Sequence, residues 1–228
     1  GLPPWAKDGG PERVMAAPRA PGDRARMKKE IPRDRLENNW LTNFTQSQNR
    51  KYDGRLLTDI AEMRGQEPAE TLFDLLIEEN LGISTVGLET NPHTLPAFVS
   101  HPCGMIASDA ILFGEYPNPR SYGCFPIVLA EFVRAEKQLR LPEAIRKMTS
   151  FPAQRLGLPD RGLLRDGFKA DIVVFNPDTV KARATKEDPK QYPVGIEYVI
   201  VNGLVVIDRG ENTGALPGRA LRRGRAST

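Results

Sequence analysis

The stretch HPCGMIASD, residues 101–109, is followed by AILFGEYPNPR, which ends at Arg120. Its apolar run Met105–Ile106–Ala107 predicts a short strand that stops at Ser108–Asp109. The residues after it are rich in Pro, Gly and Asn and predict a long loop. An acid at the carboxyl end of a buried parallel strand, opening into a long loop, is typical of the catalytic side of an α/β barrel. The alternative is that Asp109 only caps the next turn.

The bulk composition is that of a globular protein. The 228 residues, 39% hydrophobic and 27% charged, can form one large domain or two small ones with a proper core. Cys103 and Cys124 make neither a disulfide framework nor a metal-binding spacing, so we expect a reducing, cytoplasmic compartment. No apolar run is long enough to span a bilayer, so no membrane association is expected.

The net charge of +3 is unevenly distributed. The tail from Pro217 contains four arginines and no acid, which leaves the rest of the chain about neutral. A short basic tail of this kind is more typical of a solvated or partner-docked segment than of a nucleic-acid site, so no nucleic-acid partner is expected.

Alternating helical and strand patterns fill the first two thirds of the chain. Helical patterns span Pro11–Glu30 with breaks near Pro18 and Pro21, then Leu56–Met63, Pro68–Glu79, Asn91–Ser100, Phe125–Val133, Leu141–Met148 and Phe151–Leu156. Strand patterns span Trp40–Thr45 and Ile83–Leu88.

The sequence pattern changes at Gly157, after which short β patterns separated by glycines predominate. They span Asp171–Phe175, Val194–Val201 and Leu204–Ile207. The last two are separated by Asn202–Gly203, the dipeptide most typical of a tight hairpin. We therefore predict two parts, an α/β part over residues 1–156 and a β part with a basic tail over residues 157–228.

Several motifs together resemble the D-aminoacylase family, the N-acyl-D-amino-acid deacylases of the metal-dependent amidohydrolase superfamily. The narrow part of the resemblance is SDA, PNPRSYGCFP, LGLPDRG and NTGALPGRALRR, in that order along the chain. The segment GFKADIVVFNPDTV is common to many amidohydrolases. GLPPWAKDGG and LLTDIAEMRGQEPAETLFDLLIEEN extend the likeness upstream, so that it covers nearly the whole chain.

The resemblance implies an α/β fold: the C-terminal portion of a TIM-like (β/α)8 barrel plus strands of a flanking β-sandwich. A complete barrel takes roughly 250 residues, and about seventy residues here belong to the β part. The chain is therefore not expected to close a barrel by itself.

The resemblance also implies roles for three residues. Asp109 matches the aspartate of the last barrel strand, which contacts the metal and moves the proton of the attacking water. Arg120 matches the arginine that binds the substrate α-carboxylate, for which a planar guanidinium is well suited. Its alternative is a structural bond to a loop carbonyl or to Glu115. Ser47 falls near a serine that also contacts the carboxylate.

The metal-binding histidines of the family have no counterpart here. The family holds one or two zinc ions with a His-x-His pair and further histidines on earlier strands, whereas this chain has only His93 and His101. Neither is expected to bind metal, and both cysteines are expected to be packed. The resemblance thus implies an amidohydrolase that is active only with a partner, an N-terminal fragment or subunit that supplies the remaining zinc ligands.

Two alternatives to a linear deacylase remain open. One is the opening of cyclic amides, as in the hydantoinase and dihydroorotase branch of the superfamily. The other is a non-catalytic scaffold subunit of an amidohydrolase complex, which the missing histidines favour and the retained Asp109 and Arg120 do not.

Overall fold

The computed structural model of this protein describes residues 2–87, 94–112 and 114–221. The chain divides into two units. The first comprises Gly1–Thr90 and Ile111–Asn118, and the second comprises Asn91–Ala110 and Pro119–Thr228. The predicted boundary between residues 156 and 157 is not tested by this division and stays a prediction. No helix in the described ranges is long and apolar enough to cross a membrane.

The first unit begins with short helices that the prolines separate. They are a 3₁₀ turn at Pro4–Ala6, α1 (Gly10–Ala16), a 3₁₀ turn at Ala17–Arg19, α2 (Pro21–Glu30) and α3 (Arg33–Glu37). The predicted breaks near Pro18 and Pro21 are confirmed. Proline interrupts a helix because it lacks the N–H that a continuous helix needs. Two further helices, α4 (Leu57–Arg64) and α5 (Pro68–Glu78), also match their predicted positions.

A three-stranded sheet completes this unit, with the order β2-β1-β3. Its strands are β1 (Asn39–Thr42), β2 (Arg55–Leu56) and β3 (Ser84–Gly87). Both pairings are antiparallel, with Trp40 opposite Val86 in one of them. β1 and β3 overlap the two predicted strand patterns, whereas β2 was not predicted, and none of the pairings has the parallel arrangement of a barrel. The core beside them includes Met27, Leu41, Ile60, Phe73 and Leu75.

The second unit contains four α-helices within its described residues. They are α6 (Thr94–Ser100), α7 (Arg120–Ile127), α8 (Leu141–Met148) and α9 (Ser150–Leu156). Pro126 lies inside α7, and the helix continues over Val128–Ala135 with the wider hydrogen bonding of a π-helix. The predicted start of α6 at Asn91 lies outside the described residues.

The C-terminal β patterns form one antiparallel sheet, with the order β4-β5-β6-β7. Its strands are β4 (Ile172–Phe175), β5 (Ile196–Val201), β6 (Leu204–Asp208) and β7 (Glu211–Asn212). The predicted hairpin is confirmed, since Asn202 and Gly203 both have positive φ, at 49° and 83°. The second layer of a β-sandwich stays a prediction.

The strand predicted at Met105–Ala107 is absent, which corrects the sequence analysis. Residues 104–110 have neither helical nor strand structure. The Gly104 N–H donates to the His101 carbonyl at 2.8 Å, and the Ile106 N–H donates to the Lys147 carbonyl at 3.1 Å. An apolar run becomes a strand only when a neighbouring strand supplies a ladder of hydrogen bonds. No neighbouring strand borders this run in the part of the chain that the structure describes.

Candidate active site

Asp109 and Arg120 lie side by side in the second unit. Asp109 lies in the irregular segment after α6, and Arg120 is the first residue of α7. The Arg120 Nη2 atom is 3.8 Å from the Asp109 Oδ2 atom. The two side chains are 55% and 90% exposed, so water screens the pair and it adds little to stability. The structure therefore brings together the two residues with the strongest sequence indication of function and leaves both open to a ligand.

The backbone of Asp109 is strained. Its φ of 34° lies in the left-handed region, which a residue with a side chain adopts only where the surroundings require it. Such conformations cluster at functional sites. Aspartate adopts this conformation more readily than most residues, in turns as well as at functional sites, so the backbone of Asp109 is compatible with either role.

Cys124 joins the Asp109 segment to the helix that begins with Arg120. Its Sγ atom donates a hydrogen bond to the Ala107 carbonyl oxygen at 3.2 Å. Burial raises the pKa of the Cys124 thiol, and the nearby Arg120 guanidinium opposes that rise only in part. The thiol therefore stays protonated and remains a donor. Cys124 is half-buried as expected, whereas Cys103 is exposed, and the prediction that Cys103 is packed was wrong.

Ser47 belongs to the first unit, where it is exposed at the start of a 3₁₀ helix, Ser47–Tyr52. The residues just before it are held by the buried carboxylate of Glu79, which is 2% exposed. Its Oε2 accepts hydrogen bonds from the Thr45 N–H at 2.7 Å, the Thr45 hydroxyl at 2.8 Å and the Gln46 N–H at 3.1 Å. Its Oε1 accepts one from the Asn49 amide at 2.8 Å. Glu79 thus fixes the turn that presents Ser47.

The electrostatics of Glu79 follow from these contacts. Burial by itself would raise its pKa, but the hydrogen bonds from Asn49, Thr45 and Gln46 outweigh burial and lower the pKa below the usual value. The sequence offered no signal for this role, because a glutamate at the end of an amphipathic helix is ordinarily solvated.

A cavity of about 460 Å³ lies within the first unit. It is lined by Asn43, Phe44, Thr45, Arg50, Asp53, Gly114, Glu115 and Tyr116. Burial raises the pKa of Asp53, the negative charge of Glu115 adds to that rise, and the bond from the Asn43 N–H opposes it. The charged residues of the cavity lining, Arg50, Asp53 and Glu115, carry both signs.

The described residues do not form a metal site by themselves. No group of three or more His, Cys, Asp or Glu side chains within those ranges could hold an ion. His101 is exposed, and its Nδ1 accepts a hydrogen bond from the Cys103 N–H at 3.2 Å. His93 lies outside the described residues. Asp109 could contribute one carboxylate oxygen to an ion.

Comparison with known proteins agrees with the resemblance seen in the motifs. The Amidohydrolase family matches residues 42–207. An N-acyl-D-aspartate deacylase from Alcaligenes xylosoxydans xylosoxydans is 46% identical over 128 residues, which are 56% of this chain and 26% of that protein.

Two solved structures are similar in fold. A crystal structure of D-aminoacylase has a TM-score of 0.70 at 31% identity, over 78% of this chain and 36% of that one. The N-acyl-D-glutamate deacylase from Bordetella bronchiseptica, complexed with zinc and a phosphonate mimic of the tetrahedral intermediate, has a TM-score of 0.68 at 31% identity. That match covers 77% of this chain and 36% of the other. The chain thus spans about a quarter to a third of these relatives, and with most of its length matched it belongs to the Amidohydrolase family.

Proposed function

We propose that this chain is the C-terminal part of a zinc-dependent amidohydrolase that removes the acyl group from N-acyl-D-amino acids. The observation that supports this most directly is the adjacency of Asp109 and Arg120, which are 3.8 Å apart on an exposed surface. One relative named above is an N-acyl-D-aspartate deacylase and another contains a bound mimic of the tetrahedral intermediate. The family match over residues 42–207 extends on both sides of the pair.

The two side chains have complementary tasks in such a reaction. The Arg120 guanidinium binds the α-carboxylate of the substrate through two parallel N–H···O bonds and so fixes the amide. The Asp109 carboxylate accepts a proton from the attacking water and returns it to the departing amine, so that a carboxylic acid and an amine are formed. Zinc, when bound, supplies charge stabilisation to this chemistry. Asp109 would contribute one ligand to it.

We further propose that a partner polypeptide, an N-terminal fragment or subunit of an amidohydrolase, covers this surface. Asp109 is 90% exposed, whereas general-base catalysis at an amide is favoured where bulk water is excluded. Two large apolar side chains of the same unit that are near it in sequence, Phe98 and Met105, are also exposed. Exposed apolar side chains near a functional residue are typical of a surface that another polypeptide covers.

The test compares the chain alone with the chain co-expressed with an N-terminal amidohydrolase fragment containing a His-x-His motif. Zinc content and hydrolysis of N-acetyl-D-glutamate, N-acetyl-D-aspartate and their L isomers are measured. We expect zinc and D-selective hydrolysis from the pair and neither from the chain alone. Full activity of the chain alone would refute the need for a partner, and hydrolysis of hydantoins or dihydroorotate in place of acyl amino acids would refute the substrate class.

Two substitutions test the residue roles. Asp109→Asn should reduce kcat by at least about a hundredfold, the usual contribution of a positioned general base. Arg120→Lys should raise KM by about tenfold, because an ammonium cannot bind a carboxylate bidentately. The controls are Asp166→Asn and Arg183→Lys, which alter exposed residues of the same unit.

A non-catalytic scaffold is the second candidate function. The absence of a three-residue metal cluster within the described ranges favours it. Under this reading Asp109→Asn would leave the activity of the assembled complex unchanged, so the same measurement separates the two functions.

A further inference from the structure

The segment that ends in Asp109 follows a defined path although it has no strand beside it. His101 is still tied to α6 through its N–H, which donates to the Ala97 carbonyl. Beyond it, residues 104–110 have no regular secondary structure, yet Asp109 adopts a strained backbone conformation. Something other than a sheet must therefore hold this segment in place.

Lys147, in the last turn of α8, binds the backbone of this segment. Its side chain is 0% exposed. The Nζ donates hydrogen bonds to the carbonyl oxygens of His101 and Gly104, the second at 3.0 Å. The Lys147 carbonyl accepts the Ile106 N–H at 3.1 Å. One residue thus binds the segment at three points.

The buried side chain of Lys147 requires hydrogen-bond partners. A buried ammonium is unfavourable unless it is fully hydrogen-bonded. No carboxylate of the described residues lies within ion-pair distance of it, and its partners are backbone carbonyls. An apolar side chain of similar length would fill the same volume but would leave the Gly104 carbonyl unpaired, and the His101 carbonyl would keep only the Gly104 N–H. The hydrogen bonds to these backbone carbonyls therefore compensate for the cost of burying the Lys147 ammonium.

At Gly104 the backbone of the segment passes very close to α6 and to Lys147. A Cβ atom at this position would lie 2.6 Å from the Phe98 carbonyl oxygen, 3.1 Å from that of His101 and 3.5 Å from the Lys147 Nζ. Only glycine allows the backbone to come this close. The path before Asp109 is thus restricted both by sterics and by the Lys147 hydrogen bonds.

We propose that Lys147 is a positioning residue for Asp109, which it directs by binding the backbone of residues 101–106 in place of a neighbouring strand. The inference rests on the proposed function, in which Asp109 moves the proton. Lys147 touches neither substrate nor Asp109. Its effect is transmitted along the chain, and Cys124 completes the hold through its bond to the Ala107 carbonyl.

The experiment uses the co-expressed preparation described above, with Lys147→Met as the test variant. Lys29→Met is the matched control, because Lys29 is an exposed lysine in the last turn of another helix, α2. Amide hydrogen exchange is measured by mass spectrometry, and kcat and KM are measured with N-acetyl-D-glutamate.

We expect Lys147→Met to speed exchange at residues 101–109 by about tenfold or more and to reduce kcat by about tenfold to a hundredfold. KM should change by less than about twofold, because Arg120 lies on another helix and keeps its guanidinium. Lys147→Gln retains one donor group and should give intermediate values of both. Lys29→Met should change neither.

Three outcomes would overturn the inference: unchanged exchange at residues 101–109, faster exchange spread evenly over the second unit, or an unchanged kcat despite faster local exchange. Failure of both Lys147 variants to fold would overturn it too, since Lys147 would then be required for the fold as a whole. If the wild-type preparation hydrolyses no N-acyl-D-amino acid, the proposed function fails. The exchange measurement still decides whether Lys147 holds the segment.

Discussion

Replacing Glu79 with glutamine is expected to lower the free energy of unfolding of the first unit by about 3 kcal/mol. Glutamine has nearly the same shape as glutamate, so the substitution leaves packing unchanged and removes only the charge and one acceptor. The prediction therefore isolates the contribution of the buried carboxylate that holds the turn before Ser47.

The magnitude follows from the individual contacts. The Oε2 atom accepts three hydrogen bonds from Thr45 and Gln46, and each loses its charge assistance, worth about 0.5 kcal/mol or somewhat more. The Oε1 atom becomes an NH₂ group that faces the Asn49 Nδ2 donor. Rotating the Asn49 amide would relieve that clash but would break its bond to Glu78, at 2.9 Å. This part contributes about 1–2 kcal/mol.

Urea unfolding followed by tryptophan fluorescence measures this effect in the correct unit. Both tryptophans of the chain, Trp5 and Trp40, belong to the first unit, so their fluorescence reports on the unfolding of that unit. Glu62→Gln is the control, because Glu62 is an exposed glutamate on α4. The Glu62→Gln substitution should change the free energy of unfolding by less than about 0.5 kcal/mol.

The pH dependence supplies a second measurement. Folding lowers the Glu79 pKa below its usual value of 4.5, so the ionised carboxylate stabilises the unit above that value and its contribution disappears as the pH falls through the folded-state pKa. The difference between wild type and Glu79→Gln should therefore be largest near about pH 7 and narrow towards about pH 3. A difference below about 1 kcal/mol at neutral pH, or one that is constant with pH, would refute the reasoning.

Two further predictions concern the second unit. Gly195→Ala should destabilise the second unit by about 3 kcal/mol or more, because the φ of Gly195 is 79° and the new Cβ would lie 2.6 Å from the Val180 backbone. Gly203 has a similar φ of 83° but open space around it. Gly203→Ala should therefore destabilise the unit by only about 1 kcal/mol. Comparing the thermal unfolding of the two variants separates steric overlap from backbone strain, and equal losses would contradict the steric argument. Iodoacetamide near about pH 8 should alkylate the exposed Cys103 at least about tenfold faster than Cys124, whose thiol pKa is raised by burial. Peptide mapping with time checks this, and equal rates would show that the Cys124 thiol is accessible.

Local sequence patterns were sufficient to predict most of the helices and the C-terminal hairpin. A period of three to four residues predicted α8 at Leu141–Met148, and Asn202–Gly203 predicted the turn with two positive φ values. These features depend on residues close in sequence, whose contacts are decided by backbone geometry and side-chain spacing. The pairing of Asp109 with Arg120 was also within reach, because only ten residues separate them.

Contacts between residues far apart in sequence were decided by the tertiary structure alone. The apolar run at Met105–Ala107 was predicted as a strand, but strand formation depends on hydrogen bonds to a second segment, and here the Ile106 N–H meets Lys147 at the end of a helix. Nothing local marks Lys147 or Glu79 as buried. Each charged group is tolerated inside because folding brings backbone or side-chain hydrogen-bond partners about thirty to forty-six residues distant within reach of it.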